Sequence, residues 1–171
     1  MGTINGAARF VRPDGTDIGV PGVASTAFSV GDLLYWDTTN KVLKPMDRFS
    51  ATGVAATDRA TLAAVFAGAC GLGKLAADTS TGYPGFNNED LIAIQDIIYE
   101  ADCVSTAFEP GDKVSVVIAA GTGVDKVSNQ AVAKTVVTSE AIGIVVQRYG
   151  SVTTKVRIRL VGLWSPLLFT R

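Results

Sequence analysis

The sequence predicts an all-β protein, a barrel or sandwich built from two internally repeated turn-and-strand lobes with little helix. The first observation is a repeated phrase: residues 25–32 read Ser-Thr-Ala-Phe-Ser-Val-Gly-Asp, and residues 105–112 match six of these eight letters without a gap. The second is the composition, because 18 glycines and many Val and Thr residues favour strands and turns. The third is the lack of a strand–helix–strand rhythm. A shared phrase of this length indicates an internal duplication.

The repeated phrase has the properties of a strand entry. In each copy a phenylalanine, Phe28 or Phe108, precedes a turn in which glycine supplies backbone freedom. The aspartate that ends each copy, Asp32 or Asp112, can bond back to the amides of the turn. The sequence therefore predicts a turn-stabilising role for both aspartates in preference to a general acid–base pair.

Length and charge narrow the class of protein. A chain of 171 residues, 47% hydrophobic and 18% charged, is long and apolar enough to form one compact domain with its own core. Its formal net charge of −1 predicts neither nucleic acid nor membrane as a partner. Because the first residues lack a signal pattern and no apolar run is long enough to cross a bilayer, synthesis in a cytoplasm is expected.

The predicted organisation is an N-terminal arm followed by a single β domain. The arm either lies on a neighbouring subunit or forms a surface strand of the same domain. The apolar C-terminal tail either packs on its own core or docks on another subunit. The predicted boundaries are 1–23 for the arm, 24–171 for the domain, 24–77 for lobe one, 78–104 for a connecting loop and strand, 105–164 for lobe two and 165–171 for the tail.

Lobe one begins with a predicted hairpin, in which strands at 32–36 and 41–45 flank a polar turn at 37–40. A short strand at 53–56 is expected to follow. We also predict a loop at 78–88, of the kind that often forms contact surfaces.

Residues 61–68 are ambiguous. Their Ala and Leu content suits a helix capped by Thr57 or Asp58. Their counterpart in lobe two, residues 155–164, alternates charged and apolar side chains as a strand does. The repeat favours a strand at 61–68. Residues 91–99 suit a helix or a strand, and their Ile and Tyr content favours a strand.

Lobe two repeats the plan of lobe one. The predicted strands lie at 114–119, 124–127, 141–146 and 153–162, with a glycine turn at 120–123. In this alignment, residues 141–146 match residues 53–56.

Several kinds of chemistry are absent from the sequence. The chain contains no histidine, which removes the commonest general base and most zinc sites. Cys70 and Cys103 are expected to be two buried thiols, with a disulfide as the alternative. We therefore predict no catalytic, cofactor-binding or metal-ligating residue, and no enzymatic activity.

Residues 68–75 come close to a phosphate-binding loop. They fit the pattern Gly-x-x-x-x-Gly-Lys-Ser/Thr except at Leu75, which replaces the hydroxyl residue that would hold magnesium. The following residues lead into a loop rich in Gly and Pro, whereas the motif must open a helix. A glycine-rich strand exit is therefore preferred.

Lys155, Arg157 and Arg159 form a basic row on one face of a predicted strand. A phosphate-binding stripe needs more charge than this. A solvated face, or pairing with acidic residues, is expected instead.

Three segments carry a resemblance. They are Phe-x-x-Gly-Asp-Leu-Leu-Tyr-Trp-Asp at 28–37, Asn-Lys-Val-Leu-Lys-Pro at 40–45 and Ala-Thr-Gly-Val-Ala at 51–55. Their order is kept between Gly111 and Gly162 in the second copy. This order of turns and strands resembles that of the small β-rich decoration, or cement, proteins of tailed-bacteriophage heads.

The resemblance implies a non-enzymatic viral structural protein on the outer capsid surface of a bacteriophage virion. It implies a homo-oligomer, with a trimer favoured and a dimer possible, that bridges major capsid protein subunits. Two alternatives stay open: another virion component, such as a head-fibre or tail-base protein, and a small-ligand or nucleotide-binding β domain that uses Lys74. The candidate partner-contact residues are Arg9, Phe10 and Arg12 in the arm, Tyr83 and Phe86 in the loop, and Leu167 and Phe169 in the tail.

Overall fold

The computed structural model describes residues 9–10, 16–20, 27–71, 91–119 and 126–165. Within these residues the chain forms eleven strands, one α-helix and two short 3-10 helices. The all-β class predicted from the sequence is therefore confirmed.

The elements follow one another in a simple order along the chain. The strands are β1 (Arg9–Phe10), β2 (Thr16–Val20), β3 (Leu33–Asp37), β4 (Val42–Pro45), β5 (Phe66–Cys70), β6 (Leu91–Gln95), β7 (Ile98–Phe108), β8 (Lys113–Ala119), β9 (Lys126–Thr135), β10 (Gly143–Val145) and β11 (Tyr149–Leu160). The helix α1 spans Ala55–Val65, and the 3-10 helices span Met46–Arg48 and Thr138–Glu140.

The strands form two sheets with the same internal order. The first sheet is β2-β6-β5-β3-β4, and the second is β7-β11-β10-β8-β9 with β1 added on the free side of β7. In the second sheet β7 also pairs with β9, in parallel, which closes a five-stranded barrel. No pair joins β2 to β4 within the described residues, so the first sheet keeps two edges there.

The two sheets share their strand order and the register of equivalent strands. Leu34 of β3 pairs with Gly68 of β5, and Val114 of β8 pairs with Gly143 of β10. Leu34 and Val114 are separated by the same spacing as the repeated phrase. The predicted duplication into two turn-and-strand lobes is therefore confirmed by the register of the strands.

The repeated aspartates have the same role in both copies. Asp32 Oδ2 accepts a hydrogen bond from the Ser29 amide at 2.8 Å, and Asp112 Oδ2 accepts one from the Glu109 amide at 2.8 Å. Each carboxylate thus satisfies a backbone donor of its own turn. The turn-stabilising role predicted for both residues is confirmed.

The glycines of the repeated phrase also match in conformation. Gly31 has φ 91° and Gly111 has φ 93°, a region in which side-chain-bearing residues are strained. Their amides donate to the carbonyls of Cys70 and Val145, at 2.8 and 2.9 Å. Each turn is thereby tied to the strand that lies beside its own β3 or β8.

A second pair of glycines marks a close approach of strands. A Cβ on Gly143 would lie 2.8 Å from the carbonyl oxygen of Arg159, and a Cβ on Gly68 would collide with the carbonyl oxygen of Ile94. Because these two positions are equivalent in the two sheets, the duplication has kept the same backbone contact. Gly68 is needed for packing within β5, and residues 72–75 of the near-motif lie outside the described residues.

The helix α1 corrects two predictions. Residues 53–56 and 61–68 were expected to be strands, but α1 covers 55–65 and only residues 66–68 begin a strand. The alignment of 53–56 with 141–146 was wrong, because β10 corresponds to β5. The high helix propensity of Ala and Leu prevails here, and the burial of Leu62 and Ala63 adds to it.

Neither Thr57 nor Asp58 caps the helix. The residue before α1 is Val54, which makes no capping bond. Asp58 lies in the first turn, and its carboxylate accepts hydrogen bonds from the amide and hydroxyl of Thr52.

The other predicted strands are confirmed with altered boundaries. Residues 91–99 are extended but interrupted at Asp96, which has φ 57°, so β6 completes the first sheet and β7 begins the second. The segment predicted as 78–104 is therefore divided between the two lobes. The last strand begins at Tyr149, earlier than expected. The loop at 78–88 and the turn at 120–123 lie outside the described residues.

One hydrophobic core joins the two copies. The larger cluster contains Tyr99, Phe108 and Ile158 of the barrel together with Leu62 of α1 and Phe66 of β5. A smaller cluster covers the opposite face of the first sheet; its buried members are Phe28, Leu34, Leu43, Ala67, Cys70 and Ala93.

Candidate functional site

The buried carboxylates of the described chain serve structural contacts. Glu140 is 5% exposed, and its Oε2 accepts hydrogen bonds from Arg59 Nε at 2.8 Å and from the Thr135 hydroxyl at 3.1 Å. Arg59 belongs to α1, whereas Glu140 belongs to the second lobe. This ion pair therefore ties the helix to the barrel.

The two cysteines do not form a disulfide. Cys70 is buried as predicted, but Cys103 is only partly buried. Burial raises the pKa of the Cys103 thiol, and the charge of Asp102 adds to this effect. The thiol form is therefore favoured at neutral pH, which does not suit a nucleophile.

Neither a metal cluster nor a membrane-spanning helix is found in the part of the chain that the structure describes. No group of three or more Cys, Asp or Glu side chains is placed there to hold a metal ion. No helix among these residues is long and apolar enough to cross a bilayer.

The basic row on β11 is neutralised by the neighbouring strand. Lys155 Nζ lies 2.8 Å from Asp102 Oδ1, and Arg157 Nε lies 3.2 Å from Glu100 Oε2. Both pairs are also register partners across β7 and β11. The predicted pairing with acidic residues is confirmed for Lys155 and Arg157, and exposed Arg159 extends the row.

A cleft of about 280 Å³ opens between the β3–β4 hairpin and α1. Its apolar part is formed by Tyr35, Phe49 and Val65, with the two aromatic rings edge to face at 5.7 Å between centroids. The full lining is Tyr35, Trp36, Asp37, Thr38, Lys44, Arg48, Phe49, Ser50, Thr61 and Val65.

The hairpin supplies one side of the cleft with a closed ion pair. Lys44 Nζ lies 2.5 Å from Asp37 Oδ2. The hydrogen bond from Lys44, together with bonds from Asn40 and Thr39, holds the pKa of the Asp37 carboxyl far below its usual range. Both charges are thus already compensated at neutral pH, and they stabilise the hairpin turn.

Tyr35 is a structural donor in the cleft. Its hydroxyl donates to the Arg48 carbonyl at 3.3 Å. Burial, with the charges of Asp37 and Asp47, raises the pKa of Tyr35 to about 12. The hydroxyl therefore stays protonated at neutral pH and can act as a donor but not as a base.

Arg48 differs from the other charged residues of the cleft. Its side chain is exposed, and within the described residues its guanidinium makes no hydrogen bond or ion pair. The aromatic surface of the cleft therefore lies beside one uncompensated positive charge.

Of the predicted partner-contact residues, the structure describes only Arg9 and Phe10. Arg9 and Phe10 form β1, whose backbone pairs with Glu100 and Tyr99 of β7. The strand alternative for the arm is thus realised at 9–10 and 16–20. The other candidates, Arg12, Tyr83, Phe86, Leu167 and Phe169, lie outside the described residues.

The end of lobe two and the first residue of the tail, Ser165, pack on their own protein. The Leu163 amide donates to the Phe66 carbonyl at 2.6 Å, and the Ser165 hydroxyl donates to Asp96 Oδ1 at 2.5 Å. The Trp164 ring lies edge to face with Trp36 at 5.8 Å. Residues 166–171 lie outside the described part of the chain.

Sequence reasoning missed the cleft, although part of its signal was readable. In the predicted hairpin, the side chains of Tyr35 and Asp37 lie on the same face of the strand. Lys44 is the register partner of Tyr35. Thr61 and Val65 could not be placed beside them, because the sequence prediction put residues 61–68 in a strand.

These observations define a duplicated all-β protein whose repeated polar residues stabilise turns and whose surface carries an aromatic cleft with one uncompensated arginine. No protein-family model, curated protein or solved structure matches the chain.

Proposed function

We propose that the protein is a non-enzymatic structural component of a phage virion that binds the outer capsid surface and stabilises contacts between major capsid protein subunits. The observation that carries the proposal is the use of the repeated aspartates. Asp32 and Asp112, which the two copies of the repeated phrase share, each accept a hydrogen bond from the amide three residues before them. The duplication thus preserves a scaffold feature, which suits an adhesive protein.

The surface of the described chain offers apolar contact area without a reactive centre. Val104 of β7 and Val152 of β11 are 55% and 66% exposed, and Val136, after β9, is 88% exposed. Burial of such groups between subunits would add about 25 cal/mol for each Å² of apolar area removed from water. Each copy then contributes modestly, and many copies on one particle together oppose the internal pressure of DNA.

A homo-oligomer, with a trimer favoured, belongs to this proposal. Bridging several capsid subunits from one body suits a symmetric assembly in which each protomer presents the same surface. Size-exclusion chromatography with light scattering measures this directly, and a stable monomer would count against the trimer.

Localisation on particles tests the proposed function. Cryo-electron microscopy of phage particles from cells that express the tagged protein is expected to show it on the outer capsid surface at regular positions. Density at the tail base or on a head fibre would instead favour the second virion role. Absence from purified particles would overturn both.

A truncation tests the arm, but its boundary must respect the fold. The first candidate is a deletion of residues 1–20. It would remove β2, which pairs with β6 over five residues, so it is expected to destabilise the first sheet. Deletion of residues 1–8 leaves both described strands in place. If residues 1–8 bind the capsid, the truncated protein is expected to keep its melting temperature and to lose its binding to capsid particles.

The cleft beside Tyr35 supports a second candidate, a small-ligand-binding β domain. A nucleotide at Lys74 is not favoured, because Gly68–Cys70 of the near-motif form a strand and Gly68 is required by strand packing. A specific ligand stabilises the fold, so a melting temperature raised by ATP and magnesium would support nucleotide binding by this β domain. An unchanged melting temperature is expected.

A further inference from the structure

We infer that the cleft between the β3–β4 hairpin and α1 binds a carboxylate carried next to an apolar or aromatic group, as on an acidic side chain of a partner protein. The inference concerns the surface formed by Tyr35, Arg48, Phe49, Thr61 and Val65. The position of the cleft and the residues that line it follow from the geometry of the structure. That its occupant belongs to a protein rests on the proposed adhesive function.

The charge pattern selects an anion. Two cations and one carboxylate line the cleft. Lys44 is bound by Asp37 at 2.5 Å, whereas the guanidinium of Arg48 has no partner in the described chain. A guanidinium presents paired donors that match the two oxygens of a carboxylate.

The same pattern disfavours a highly charged anion. The carboxylate of Asp37 remains ionised, since its pKa is held far below the usual range, chiefly by Lys44. The charge of Asp47 also reaches the cleft, because it contributes to the raised pKa of Tyr35. Because Lys44 already compensates Asp37, one unpaired cation matches the single charge of a carboxylate, whereas the nearby Asp47 carboxylate would repel the second charge of a phosphate.

The apolar part of the cleft selects what accompanies the carboxylate. The rings of Tyr35 and Phe49 meet edge to face, which leaves aromatic surface beside Val65 for a further ring or aliphatic group. A volume of about 280 Å³ lies at the lower limit for drug-sized ligands and suits one side chain with part of its neighbour.

The hydroxyls on the cleft wall have room for a second contact. The Thr61 hydroxyl donates to the Thr57 carbonyl at 2.9 Å and therefore retains its acceptor capacity. Ser50 also lines the cleft. A backbone amide of a bound segment could donate to either oxygen.

The test uses phenylacetate, with phenylacetamide as its neutral counterpart, in a titration of the full chain followed by amide NMR. Phenylacetate is expected to shift the resonances of Tyr35, Phe49 and Thr61 saturably. Its apparent affinity should be roughly two- to fivefold higher than that of phenylacetamide, the range of an exposed ion pair.

Two variants locate the effect. Arg48→Gln is expected to lower the affinity for phenylacetate to that for phenylacetamide. The matched control is Arg148→Gln, at a 74%-exposed arginine that already pairs with Glu109 outside the cleft, and it should change neither affinity. Thr61→Phe, at an exposed helix position, should fill the cleft and weaken both probes. Melting temperatures establish that each variant is folded.

Equal affinities for the two probes, or saturable shifts only outside the cleft, would overturn the inference. Capsid particles then separate it from the proposed function. If the wild-type protein binds particles and Arg48→Gln binds equally well, the cleft is not the partner site and the inference fails while the function stands. If the wild-type protein does not bind particles but phenylacetate still requires Arg48, the virion role fails and the carboxylate site stands.

Discussion

Asp32 and Asp112 occupy the same position in the two lobes, yet their carboxyl pKa values are displaced in opposite directions. Burial raises the pKa of Asp32, which is 4% exposed, and this outweighs the hydrogen bonds from Ser29 and Gln130. Burial also raises the pKa of Asp112, but the Glu109 amide and the Lys134 ammonium at 2.5 Å outweigh it, so the net shift is downward.

The deeper burial of Asp32 is the first cause of this difference, and the strand β9 contributes a second. Gln130 and Lys134 both belong to β9, and they place a neutral amide beside Asp32 but an ammonium beside Asp112. The ionised form of the turn aspartate is therefore disfavoured in lobe one, at Asp32, and favoured in lobe two, at Asp112.

The first prediction concerns the pH dependence of stability. A carboxyl with a raised folded pKa binds its proton more tightly in the native state, so its contribution to stability decreases as pH rises above about 3.8. A carboxyl with a lowered folded pKa contributes stability above the unfolded pKa, and this is lost as pH falls. The difference in unfolding free energy between wild type and Asp32→Asn should therefore decrease between pH 3 and 7, and that between wild type and Asp112→Asn should increase. Urea unfolding at several pH values measures both slopes, and slopes of the same sign would contradict the assignment.

The second prediction concerns Gly68 and Gly143, the two glycines at which neighbouring strands approach closely. Gly143→Ala brings a methyl group against the Arg159 carbonyl, and overpacking of this kind costs about 1–3 kcal/mol. Gly68→Ala should cost more, because φ at this residue is 123° and the added strain is roughly 1–3 kcal/mol. Gly150→Ala is the control, since nothing lies near its Cβ position, and it should stay within about 0.5 kcal/mol. Equal effects at the three sites, measured by denaturant unfolding, would refute the close approach.

The third prediction concerns a buried amide. Gln95 is fully buried, and neither polar atom of its side chain has a hydrogen-bond partner in the described structure. The pairs Ala69–Ile94 and Ile144–Arg159 make Gln95 the equivalent of Leu160 in the second sheet. Gln95→Leu should raise the free energy of unfolding by about 1–3 kcal/mol, the desolvation penalty of an unsatisfied polar group.

The reciprocal variant serves as its control. Leu160→Gln places an amide at the equivalent buried position and should destabilise the protein by a comparable or larger amount. Thermal and urea unfolding give both values. A loss of stability in Gln95→Leu would show that this amide is satisfied in solution.

The fourth prediction concerns the ion pair between Arg59 and Glu140. The Glu140 side chain is 7% exposed, so Arg59→Gln leaves a poorly solvated carboxylate and should cost roughly 1.5–3 kcal/mol. Glu140→Gln should cost less, because the remaining arginine is 29% exposed and can be hydrated. A double-mutant cycle measures the coupling, and additive effects would mean that the pair contributes nothing to holding α1 on the barrel.

Much of the first sheet was predictable because its signals are local. The β3–β4 hairpin follows from alternating side chains around a polar turn, and Asp37 confirms it by accepting bonds from Thr39 and Asn40. The helix α1 also had a local signal in its Ala and Leu residues. It was missed because the repeat was aligned through 53–56, whereas the duplication inserts the helix between β4 and β5.

The sequence by itself determined the duplication, the two Gly-Asp turns and the all-β class, because turn chemistry and strand patterning act between residues close in the chain. Only the tertiary structure decided the closure of the second sheet by β7 and β9, the Arg59–Glu140 pair, the opposite pKa shifts of Asp32 and Asp112, and the cleft at Arg48. Each of these depends on which surfaces meet after folding, and local periodicity carries no information about contacts between distant segments.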